Sequence, residues 1–145
     1  MRFENLGYHR EQAFFQRLHR KLNKELFDGK LSDLEIDIQN INRYQDEDAF
    51  ACYHHHSILF SHEFFEYVEK QETQKKQAEC IVQVLVHEMI HQYCHENGID
   101  DSNHSEEWQR VAEDHGLHSV YHDGVMVEEW GKTILALIAA DVRIR

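Results

Sequence analysis

Two histidines four positions apart, His87 and His91, enclose a glutamate, Glu88, in the run His-Glu-Met-Ile-His. On a helix, residues four apart are separated by about 6 Å along the axis and about 40° around it, so the two imidazoles project toward one point. Two imidazoles placed in this way can share one zinc ion. Glu88 follows the first histidine directly, where its carboxylate can take a proton from water activated by the ion. The run therefore predicts a zinc hydrolase site with Glu88 as the catalytic base.

A hydrolytic zinc site usually has three protein ligands and leaves its fourth position to water. His104 follows a polar loop at 100–103 and directly precedes a predicted helix start at Ser105, where a short reversal of the chain could return it to the metal. His95 continues the spacing of four from His91, but three consecutive ligands on one helix cannot easily surround a tetrahedral ion. His104 is therefore the candidate third ligand, with an exposed loop histidine as its alternative, and His95 is expected beside the site or on the surface.

The chain contains 13 histidines, so patterns that resemble metal sites also arise by chance. The run from His54 to His56 is predicted to form the polar tip of a hairpin, with contact to substrate or metal as its alternative. His115, His118 and His122 are predicted to be surface or helix-end residues, although one of them could stabilise the oxyanion of a tetrahedral intermediate. No sequence rule chooses among these three.

The elements that must position these residues follow from hydrophobic periodicity. Apolar residues at Phe14, Leu18 and Leu22 recur every four positions, and Leu34, Ile36 and Ile38 alternate with polar residues. The pattern predicts an α+β fold with a small antiparallel three-stranded sheet packed on helices. The predicted helices are 9–27, 62–70, 73–97, 105–116 and 128–142, and the predicted strands are 34–38, 49–54 and 57–61, the last two forming a hairpin.

The histidine and glutamate run lies in the C-terminal half of the predicted long helix, which ends at Gly98. It is flanked by apolar residues on both sides, including Val86 and Ile90. Burying histidines around a glutamate in such surroundings is costly without a metal or a polar partner. The long helix at about 73–97 is therefore the predicted active-site helix.

Length and composition limit the classes of protein that this chain can be. Its 145 residues suit one domain, 1–145, and the net charge of −12 disfavours general affinity for nucleic acid. Cys52, Cys80 and Cys94 are widely spaced and form no Cys-x-x-Cys pair, which favours a reducing, cytoplasmic setting. No apolar run approaches the roughly 18 residues that a membrane span requires. We expect no association with a membrane.

These motifs resemble the SprT-like family, which includes the Spartan proteases. The resemblance rests on the run from His87 to His91, on His104 thirteen residues later, and on Trp108 and Gly116 after it. Upstream, Leu-Phe-Asp-Gly-Lys-Leu at 26–31 is similar to the family's junction between helix and strand. Residues 51–53 and 58–61 are similar to its hairpin. The similarity covers roughly residues 10–120.

The resemblance implies that His87, His91 and His104 bind zinc and that Glu88 is the base. It also implies a zincin-like α+β domain that cleaves proteins, in some members proteins attached to DNA. The sequence departs from the family pattern at Ser105, where glycine usually follows the third ligand.

The expected activity is that of a zinc-dependent endopeptidase, or metalloprotease, acting on a protein or peptide substrate. No cysteine follows Cys94, so we expect no C-terminal zinc ribbon. Together with the charge of −12, this disfavours the association with DNA that the resemblance allows. Two alternatives use the same site: a zinc-containing adaptor module with weak catalysis, and a zinc hydrolase that acts on a non-peptide amide.

Overall fold

The computed structural model describes residues 9–38, 51–54, 56–102 and 104–115. Within them the fold is α+β, which confirms the predicted class. One continuous apolar core contains residues from every helix and strand. The elements are α1 (His9–Phe27), β1 (Glu35–Ile38), β2 (Ala51–His54), β3 (Ser57–Phe60), α2 (His62–Glu69), α3 (Gln74–Glu96) and α4 (Glu106–Asp114).

The three strands form a mixed sheet in the order β1-β3-β2. β2 and β3 are the predicted antiparallel hairpin, with His54 opposite Ser57. β1 instead pairs parallel to β3, with Glu35 opposite Ser57, so the prediction of a fully antiparallel sheet is wrong. The short turn of the hairpin fixes the direction of β2 against β3. The alternation of apolar and polar residues in β1 shows only which face of the strand is buried. The same alternation is expected whether β1 pairs parallel or antiparallel to β3.

Helix α1 is amphipathic over its whole predicted length. Phe14, Phe15, Leu18 and Leu22 are buried. A polar side chain of α1 also binds the backbone of β1. The Gln16 side chain donates to the Leu34 carbonyl at 3.1 Å and accepts from the Ile36 amide at 2.9 Å. α1 and β1 are therefore joined by an amide bridge as well as by apolar packing.

Helix α3 is the central element, and its limits agree with the predicted 73–97. Thr73 caps the first turn by accepting the Lys76 amide at 3.1 Å. At the other end Gly98 adopts a φ of +66°, and the Ile99 amide donates to the Cys94 carbonyl at 2.8 Å. This is the glycine-terminated helix end in which a left-handed residue reverses the chain. All ten residues from 81 to 90 are buried, as in a helix enclosed on every side.

Helix α4 starts where predicted, since the Ser105 hydroxyl accepts the Trp108 amide at 3.2 Å. Its last helical residue is Asp114, two positions before the predicted end at Gly116. Gly116 and the predicted helix at 128–142 lie outside the described residues.

Among the helices that the structure describes, none has the length and apolar character needed to cross a membrane.

Candidate metal centre

Three imidazoles meet at the junction of α3 and α4. His87 and His91 extend from adjacent turns of α3, and His104 reaches them from the loop before α4; one nitrogen from each lies within 4.8 Å of the other two. Nε2 of His87 and Nε2 of His104 are 3.0 Å apart. In a tetrahedral site with metal to nitrogen bonds of about 2.0–2.1 Å, two ligand nitrogens are about 3.4 Å apart. The His87 and His104 nitrogens therefore stand close to the separation that one ion requires, and a nitrogen of His91 lies within 4.8 Å of both.

The loop between α3 and α4 produces the chain reversal that brings His104 back. After Gly98 the chain turns, and the His104 amide donates to the Asp101 carbonyl at 3.3 Å. His104 itself has a φ of +51°, a region that residues other than glycine seldom occupy. Its carbonyl accepts the side-chain amide of Gln109 at 2.9 Å. Hydrogen bonds at the amide and at the carbonyl of His104 hold its backbone in this conformation. The loop itself therefore directs His104 toward the other two histidines.

Asp101 is a member of the centre that sequence reasoning missed. Nδ1 of His91 donates to its carboxylate at 2.8 Å, which leaves Nε2 of His91 to face the other two rings. A carboxylate behind a histidine ligand commonly fixes the orientation of the ring and makes it a stronger donor. In the sequence Asp101 is one of several polar residues in a loop, and no local spacing rule distinguishes it.

Burial keeps two of the imidazoles in the neutral form that binds metals. Burial lowers the pKa of His91, against the raising effect of Asp101. The pKa of His104 is also lowered, first by burial and then by the charge of His91. A neutral imidazole presents a free electron pair to a metal, whereas the charged form does not.

Glu88 is buried beside the three histidines, with 3% of its surface exposed. The backbone N–H of Tyr53, on strand β2, donates to its carboxylate. Burial raises the pKa of Glu88 to about 8, the Tyr53 N–H lowers it and the charge of Asp101 raises it. A raised pKa makes the Glu88 carboxylate a stronger acceptor for a proton from water than a solvent-exposed glutamate. The predicted base therefore lies next to the predicted ligands, held by the edge of the sheet.

Trp108 forms an aromatic support for all three rings. It is fully buried, and its ring centroid lies 4.8 Å from that of His87, 5.2 Å from that of His91 and 4.6 Å from that of His104. Its Nε1 is buried without a hydrogen-bond partner among the residues that the structure describes. From the sequence, Trp108 was noted only as an aromatic residue that matches the family pattern. The structure shows that its ring contacts the three histidines.

The other histidines that the structure describes are not part of the converging group. His95 is exposed and is absent from the group of converging ligands, as predicted. His54 ends β2 and His56 lies in the hairpin turn, which confirms the predicted hairpin tip, while His55 lies outside the described residues. His115 ends α4, as predicted for a helix-end residue, and stacks on Phe27 with ring centroids 4.4 Å apart. His118 and His122 also lie outside the described residues.

Comparison with known proteins assigns a family to most of the chain. The model of the SprT-like family matches residues 15–123, about three quarters of the length, and this range contains every residue of the centre. A search of curated proteins and a search of solved structures each found no match.

Proposed function

The chain belongs to the SprT-like family, and we propose that it is a zinc-dependent endopeptidase whose catalytic base is Glu88. The observation that carries the proposal is the convergence of three imidazoles within 4.8 Å beside a buried glutamate. A set of three histidines with room for water is typical of catalytic zinc, whereas structural zinc sites are closed by four protein ligands. The family match supports the class of activity.

The donor set fits zinc by its chemistry. We assign His87, His91 and His104 as the ligands, since imidazole suits zinc and no cysteine of the described chain belongs to the converging group. Zinc bound there supplies a Lewis acid that makes water nucleophilic near neutral pH. The third ligand comes from a loop and the first two from a helix, so together they approach the ion from different directions.

The surrounding residues have separate tasks in this proposal. Glu88 takes the proton from the attacking water and later delivers it to the leaving amine. The Tyr53 N–H holds the Glu88 carboxylate in place, and Asp101 holds His91. Trp108 keeps bulk water from one side of the histidines, which strengthens the electrostatic interactions among them.

We propose protein or peptide substrates, by the family match. A net charge of −12 disfavours affinity for DNA, so cleavage is expected without DNA. We also propose a cytoplasmic location, supported by free thiols at Cys52, Cys80 and Cys94. A zincin-like arrangement of the fold remains part of the proposal.

Substitution of the base provides the test. Zinc-loaded protein would be incubated with a peptide library derived from a proteome, and new termini would be read by mass spectrometry. Glu88→Gln should abolish cleavage while zinc content stays at one ion per chain, because the glutamate is not a ligand. Glu79→Gln, a matched change on the same helix, should cleave as the wild type does.

Two results would count against the proposal. Undiminished cleavage by Glu88→Gln would remove Glu88 from the mechanism. Absence of cleavage by the fully zinc-loaded wild type would favour the adaptor function.

A further inference from the structure

A second pair of histidines lies close together outside the candidate metal centre. His56 is in the turn between β2 and β3, and His95 is in the last turn of α3; both are exposed. Their ring centroids are 4.9 Å apart and meet edge to face. The corresponding distances within the candidate metal centre are 4.8 to 5.3 Å. The pair therefore has the spacing of the three converging imidazoles.

Tyr53 joins the two histidines. Its ring centroid lies 5.6 Å from that of His95, and its hydroxyl lies 3.5 Å from Nδ1 of His56. Contact with the hydroxyl at Nδ1 leaves Nε2 of His56 as the available donor atom. Because Tyr53 is paired with Ile58 in the sheet, the pair is supported by a hairpin and by a helix. Both supports are regular elements.

The charge around the pair favours a cation. Glu96 follows His95, and it lies close enough to His56 for the two groups to interact electrostatically. The Glu96 carboxylate is fixed by the side chain of Gln92 at 2.9 Å and by the Ser32 amide at 3.0 Å. A positive ion at the two imidazoles would lie in the field of this fixed carboxylate.

We propose that His56 and His95 form a second metal site, which binds a divalent transition ion such as Zn2+, Ni2+ or Cu2+ through two imidazole nitrogens. Imidazole selects these ions over Mg2+ and Ca2+, which prefer oxygen ligands. Water completes the coordination, since both rings are exposed. With two protein ligands in place of three, the site is weaker than the candidate metal centre and fills after it. Neither proposed ligand takes part in the catalytic proposal, Tyr53 contributes its ring and hydroxyl here and its backbone N–H there, and the inference does not depend on peptidase activity.

The test is a zinc titration of the full chain in competition with a chromophoric chelator, starting from protein that already carries one zinc ion. The wild type should show a second, weaker binding event. His56→Asn and His95→Asn should each weaken this event by at least about tenfold, as the loss of a ligand requires. Asparagine is chosen because it tolerates the φ of +63° that His56 adopts.

His62→Asn is the matched control, because His62 begins α2 at the far end of β3 from the hairpin turn. The His62→Asn protein should retain the second zinc-binding event. The double variant His56→Asn/His95→Asn should bind the second zinc ion no more weakly than either single variant, because each single substitution already removes the one site. The inference is overturned if the wild type has no second event, if either single variant keeps it, or if His62→Asn loses it equally.

Discussion

Burial of Glu88 makes a specific prediction about the stability of the metal-free protein. The pKa of this carboxyl is raised from 4.5 to about 8 by burial in the folded chain. A group with a raised folded pKa contributes stability that is complete below the unfolded pKa and is lost as pH rises through the folded pKa. The contribution of Glu88 to the stability of the metal-free protein should therefore fall between pH 4.5 and pH 8.

The size of this loss follows from the shift. A displacement of about 3.5 units at 1.36 kcal/mol per unit corresponds to about 5 kcal/mol over the full range. Between pH 5 and pH 7 the loss is about 2–3 kcal/mol. In Glu88→Gln the side chain cannot ionise, yet it still offers an oxygen to the Tyr53 N–H. The variant should therefore lack this component of the pH dependence.

The assay is urea denaturation of wild type and Glu88→Gln at pH 5, 6 and 7 with a chelator present. Protonation of histidines affects both proteins, so the difference between their free energies of unfolding isolates Glu88. That difference should shift in favour of the variant by about 2–3 kcal/mol from pH 5 to pH 7. Glu79→Gln should follow the wild type. Parallel curves for wild type and Glu88→Gln would refute the reasoning.

Three further perturbations address the supports of the centre. Asp101→Asn should weaken zinc binding by about 10- to 100-fold in competition with a chelator, because the carboxylate that orients His91 is lost, whereas Asp100→Asn should not. Trp108→Ala should lower the free energy of unfolding by about 3–5 kcal/mol in urea denaturation, since a fully buried indole is removed; a loss under 1 kcal/mol would contradict its packing role. Gly98→Ala should cost about 1 kcal/mol by the same assay because a side chain is strained at a φ of +66°, and an unchanged midpoint would contradict the described helix end.

Local rules predicted the helices that the structure describes, while the predicted helix at 128–142 lies outside the described residues. The spacing of four between apolar residues predicted the observed limits of α1, and α3 begins and ends within one residue of the predicted 73–97, with Gly98 directly after its last turn. In each case residues close in sequence determine the outcome. The end of α4 was placed two residues too late, because frayed helix ends depend on weak terminal hydrogen bonds and not on periodicity.

Non-local features were harder to predict. The direction of β1 depends on how residues 35–38 meet a strand more than 20 positions later, and alternation carries no information about that. The hydrogen bond between Asp101 and His91 could not be predicted from local sequence patterns either, because ten residues and a chain reversal separate the two. His104 was singled out because a catalytic zinc ion usually requires a third protein ligand. Hydrophobic periodicity alone gives no reason to choose this residue.

X-ray absorption at the zinc edge, on protein loaded with one equivalent of zinc, identifies the atoms bound to the ion. Three imidazole nitrogens and one further light atom are expected at about 2.0–2.1 Å. The imidazole count should fall to two in His104→Ala and stay at three in His95→Ala. An unchanged count in His104→Ala, or sulfur at about 2.3 Å, would contradict the assignment of His87, His91 and His104 as the zinc ligands.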